Sequence, residues 1–157
     1  MDQCPCWRLE ISGGRAGCQA LFDQLLEREF SNYRYFRIHR MNVDSYSLQH
    51  TDEYGASAKS FMAHLCGLCC AVEFGNDPDL IKALRSSLDG KPAVERPSVS
   101  PLRGAITVAS LSGISDADAY VHAADRCARS VWEAYSPLHS LARAWLERAR
   151  MPGLRQC

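Results

Sequence analysis

Apolar residues recur at spacings of three and four over most of this chain, and short runs of breakers separate the stretches. Leu21, Phe22, Leu25, Leu26 and Phe30 form one stripe, so the pattern predicts a helix from Gly17 to Phe30. Ser31 and Asn32 interrupt it, and a second helix is expected from Ile38 to His50. A turn over residues 51–57 leads to a third helix, with Ser57 as N-cap and Gly75 beyond its end at Phe74. That helix is apolar nearly all round and reads as the buried centre of the fold. A short helix follows, capped by Asp77, with Pro78 in its first turn and Gly90 as its stop. Pro92, Pro97 and Pro101 make residues 90–104 a loop, and residues 105–111 fit either a short strand or a buried turn. Ser115 with Asp118 opens a long helix to about Tyr135. Ser136 and Pro137 break it, and a last helix ends near Arg150. The expectation is all-α: one domain over residues 1–157, a compact bundle of five or six helices behind an irregular segment, residues 1–16.

Length and composition fit that picture and narrow it. The 157 residues are 46% hydrophobic and 23% charged, enough for one core. Eighteen basic and eighteen acidic residues give no formal net charge, which removes the basic-domain argument for a nucleic-acid partner. No apolar run approaches the roughly 20 residues of a membrane span, and the first ten residues contain no apolar signal core. A cytoplasmic protein without a membrane or nucleic-acid partner is expected, its ligand a small molecule and its oligomeric state open. In that setting the eight cysteines are metal ligands, buried small residues or redox groups rather than disulfides.

The candidate chemistry lies in three places. Cys4 and Cys6 sit in the irregular segment, where side chains can converge, and Cys18 falls in the first turn of the predicted first helix. A helix N-terminus favours the thiolate that binds zinc. With one histidine, His50 above all, these residues would complete a tetrahedral zinc site, Cys6 being the weaker ligand because C-x-C is the less usual spacing. The second place is the helix "HRMNVDSYSLQH". Tyr46 and His50 each fall within about 20° of His39 around a helix, while His39 and His50 are about 16 Å apart along it. One metal cannot take both, and Asp44 is available to orient a histidine. The third place is His64, inside the most apolar helix, together with His139, which Pro137 sets in the first turn of the last helix. His39, Tyr46, His64 and His139 are expected to share one internal polar cavity as acid–base groups, with Arg143, Trp132 and Gln49 as substrate contacts. Cys66, Cys69 and Cys70 are expected to be buried and inert.

The chain resembles a family of small bacterial proteins of unknown function on these same residues. Its motifs are a CPxC opening and a further cysteine before an "LF..LL.REF" helix. H-R-x-x-V-D-x-Y-x-x-Q-H comes next, then an H-L pair and V-W-x-A-W…H…R-x-W. Cys4, Cys18, Arg28, Glu29, Phe30, His39, Arg40, Val43, Asp44, Tyr46, Gln49, His50, His64, Leu65, Val131, Trp132, Ala134, His139, Arg143 and Trp145 match. The opening is "CPCW" instead of CPxC followed by glycine, and Tyr135 stands in place of tryptophan. The resemblance selects the same four histidines and leaves out His122.

Two functions of different kinds fit this sequence. One is a metal-dependent enzyme, zinc activating water or a substrate oxygen for hydrolytic or acid–base chemistry on a small molecule. The other is a structural-zinc module that binds a peptide or small ligand without catalysis. A thiol redox sensor would need an exposed pair, which only Cys4 and Cys6 could supply.

Overall fold

The computed structural model describes Cys4 and residues 11–151. Among the described residues seven α-helices run α1 (Gly14–Ser31), α2 (Tyr33–Phe36), α3 (His39–Gln49), α4 (Ala58–Glu73), α5 (Pro78–Leu88), α6 (Ala117–Ala134) and α7 (His139–Arg150). No strand occurs among the described residues, and no helix there is long and apolar enough to cross a membrane. The seventh helix relative to expectation is α2, a single turn that Asn32 caps through Arg34 N. Residues 105–111 end in a 3₁₀ turn (Val108–Ser110) that buries Val108 and Leu111.

Local signals set the boundaries. Ser57 Oγ accepts from Ser60 N, Asp77 from Asp79 N and Leu80 N, and Asp116 from Ala119 N. Each such cap is worth roughly 1 kcal/mol. The structure departs from expectation at the start of α1, which begins at Gly14 rather than Gly17. Cys18 therefore lies one turn inside the helix, where the pull of the helix terminus on its thiol is weak. Gly17 is required there, because a Cβ would stand 1.8 Å from the Ser12 carbonyl oxygen. Residues 11–13 thus fold down onto α1.

Helix α4 is the centre, and it packs against α3, α5, α6 and α7. Phe61, Met62, Leu65, Cys66, Leu68, Cys69 and Cys70 are all fully buried, in one cluster with Leu80, Leu84, Val131 and Leu146. A second cluster joins Cys4, Cys18, Phe22, Leu25, Tyr46, Leu111 and Tyr120. Helices α3 and α6 contribute to both, so α3 has a different environment on each face.

Candidate functional site

The C-terminal end of α3 brings His50 to two cysteines. Its Nε2 lies 3.4 Å from Cys4 Sγ and 3.6 Å from Cys18 Sγ, and the three donor atoms are all within 4.8 Å of one another. All three residues are buried. The ring is held in place: Nδ1 is 2.8 Å from the Tyr46 carbonyl oxygen. A carbonyl only accepts, so Nδ1 carries the hydrogen and Nε2 presents its lone pair to the sulfurs. Both sulfurs therefore face the same lone pair. Zinc-type bonds of about 2.3 Å to sulfur and about 2.05 Å to nitrogen give a tetrahedral S–N edge of about 3.6 Å, which matches both separations. The cluster can hold a metal ion.

The surroundings bury and anchor the cluster. The Tyr46 ring stacks on His50 at 4.0 Å and on Phe22 at 3.9 Å. Its hydroxyl donates to Gln19 Oε1, as does that of Tyr54. Burial and the neighbouring cysteines push the Tyr46 phenol above its ordinary range, so it stays neutral. Arg15 on α1 bridges to Asp52 at 2.7 Å and Glu53 at 2.6 Å, clipping α1 to the turn after His50. Cys6 lies outside the described residues.

A separate site lies toward the N-terminal end of α3. His39 Nδ1 is 2.7 Å from Glu29 Oε2, and His64 Nδ1 is 2.9 Å from Asp44 Oδ1. The carboxylate side chains are 0% and 4% exposed, whereas the histidines are 23% and 21% exposed. Both histidines line one open cleft of about 610 Å³, with Phe36, Arg40, Val43, Ala63 and Arg85. Neither Nε2 has a hydrogen-bond partner among the described residues. Glu29 is further held by Asn42 Nδ2 at 2.5 Å and the Tyr120 hydroxyl at 2.9 Å. Asp44 has Arg40 Nε at 3.4 Å, and burial pushes its carboxyl above the usual range against the opposing effects of His64 and Arg40. Gly67 makes room for this pair, since a Cβ there would stand 2.2 Å from Asp44 Oδ2.

The expected single cavity for four side chains is therefore divided. His39 and His64 share the cleft, and Tyr46 stacks on His50 at the Cys4–Cys18–His50 cluster. His139 stacks flat on Trp132 at 3.9 Å and its Nε2 meets the Trp132 carbonyl at 2.8 Å. The reason is the two apolar clusters: an inward-facing polar group on this bundle has more than one interior to enter. Arg143 and Trp132 are engaged with Glu73, which accepts from Arg143 Nη2 at 2.6 Å and Trp132 Nε1 at 3.0 Å. Gln49 donates to the carbonyls of Arg103 and Ile106, pinning the loop before the 3₁₀ turn. Cys66, Cys69 and Cys70 are buried, and burial pushes the Cys69 thiol up to about 12.

Sequence reasoning missed Glu29 as a partner of His39. Its signal was present: Cys18, Phe22, Leu25 and Glu29 follow one stripe at spacings of four, three and four, so a charge stood on the buried face. Gly67, a lone glycine inside an apolar helix, was the corresponding sign of close approach for Asp44.

Compared with known proteins, residues 2–136 match a family described as a family of unknown function, DUF5946. No curated protein and no solved structure matches the chain.

Proposed function

The chain belongs to DUF5946, a family without an assigned activity, and we propose that its activity is acid–base catalysis on a small molecule in the α3–α4 cleft, with zinc as a structural ion held by Cys4, Cys18 and His50. One observation carries this reading. Two histidines from different elements line one open cleft, and each has its Nδ1 on a buried carboxylate. That arrangement fixes the tautomer, aims Nε2 at a ligand and stabilises the imidazolium formed when Nε2 takes a proton. His64 is the base and His39, across the cleft, the acid. Each well-placed proton transfer contributes about 10²–10⁴-fold in rate.

Zinc suits the donor set, since two thiolates and an imidazole favour a borderline-soft, tetrahedral ion. The buried ligands support a structural rather than a reactive role, and Cys6 is our candidate for a fourth ligand. Thiols reserved for a metal fit a cytoplasmic setting.

The test is turnover. Wild-type protein, His64→Gln and His39→Gln are each incubated with a small-molecule extract and the products followed by mass spectrometry. We expect at least one compound to be consumed by wild type and spared by both variants, with both variants keeping their zinc. An extract left unchanged by wild type, or turnover that survives both substitutions, contradicts the reading.

A further inference from the structure

We infer that the ligand of the cleft is a small organic oxyanion, a phosphate or carboxylate carried on an apolar body. This rests on the cleft being the working site. The lining holds Arg37, Arg40 and Arg85 besides the two histidines, and Asp44 is its one carboxylate. Asp44 is committed to His64 and Arg40, so it neutralises at most one guanidinium. The chain as a whole has no formal net charge, so this is a local concentration of positive charge.

The three arginines differ in how free they are. Arg40 is held near Asp44, and its buried Nε has no hydrogen-bond partner. Among the described residues Arg37 meets only Asp118, at 3.1 Å, in a pair with both side chains more than half exposed. Such a pair is weak and yields to a better partner. Arg85, exposed on α5, has no ion pair among the described residues. Two guanidinium groups at the α2–α3 junction and one on α5 can therefore close on one anionic group, whose oxygens match their donor forks. The remaining lining is apolar: Phe36, Val43 and Ala63. The Phe36 ring lies 5.2 Å from His39 and within 10° of parallel, a shelf for a planar or apolar body. A cleft of about 610 Å³ suits a molecule of metabolite size.

The experiment uses phenyl phosphate, benzoate and benzyl alcohol as probes at constant ionic strength, read by the histidine ring signals in ¹H–¹⁵N spectra of the zinc-loaded protein. Both anions should shift His39 and His64 saturably while His50 and His139 stay still, and benzyl alcohol should leave all four in place. Arg85→Gln and Arg37→Gln should each weaken anion binding roughly tenfold, the worth of about one charge-assisted hydrogen bond. Tighter phenyl phosphate identifies phosphate as the anionic group, and tighter benzoate identifies carboxylate. Equal binding of the alcohol, no saturable binding, or affinities unchanged in both arginine variants would overturn the inference. Turnover that still depends on His64 would in that case leave the acid–base reading standing with a neutral substrate.

Discussion

Replacing Gly67 by Ala asks whether the packing of α4 against Asp44 sets up the cleft. In an ordinary exposed helix this change is stabilising by about 1 kcal/mol. Here the new methyl would lie 2.2 Å from Asp44 Oδ2 and 2.8 Å from Arg40 Nη2. The arginine tip can move away, but the buried carboxylate moves only by giving up its 2.9 Å bond to His64. Overpacking costs about 1–3 kcal/mol and a lost bond to a charged group about 1.5–3 kcal/mol. Less the helical gain, the net loss is about 2–5 kcal/mol, a fall in Tm of roughly 5–15 °C for a chain of this size. Urea unfolding of wild type, Gly67→Ala, Asp44→Ala and the double variant measures it. With Asp44 shortened to Ala, the Gly67 change should become neutral or stabilising. An equal cost in both backgrounds, or stabilisation in the wild-type background, would refute the assigned role of Gly67.

Two further outcomes follow from the polar contacts and the thiols. Arg143, with help from Trp132, holds Glu73 below its ordinary carboxyl range, so the stability this adds is present above pH 4.5 and is lost as pH falls through the lower folded value. The wild-type advantage over Glu73→Gln in thermal melts should be small, about 0.5–1 kcal/mol at pH 7 for so exposed a pair, and should vanish in acid. An advantage that grows as pH falls would contradict that sign. Cys66, Cys69 and Cys70 should remain unmodified when native protein is treated with iodoacetamide at pH 8, since burial raises all three thiols. Peptide mapping that finds them modified within minutes would contradict their place in the core.

What the sequence disclosed was mostly local. Ser57, Asp77 and Pro78 mark helix starts through contacts a few residues long, and those starts are where the pattern puts them. Cys4, Cys18 and His50 were legible because two thiols and an imidazole share few chemical purposes, although α1 begins a turn earlier than its apolar stripe suggests. The carboxylate partners were harder. Asp44 meets His64 from the neighbouring helix, and Glu29 meets His39 across the α2 turn, so each pair depends on packing that spacing alone does not encode. His139 went astray for a related reason. A helix as apolar as α4 offers several buried faces, and Trp132 with Glu73 and Arg143 fills one of them away from the cleft.

The measurement that bears most directly on this account is the metal content of wild type, Cys18→Ala and His64→Ala, purified without chelator. Structural sites of this kind tie metal affinity to folding free energy. Wild type and His64→Ala should each carry one zinc per chain, and Cys18→Ala should carry none and melt at a clearly lower temperature. Zinc that leaves with His64 and stays with Cys18→Ala would put the metal in the cleft, and protein that binds none at all would remove the centre; either result contradicts a structural zinc beside a separate histidine site.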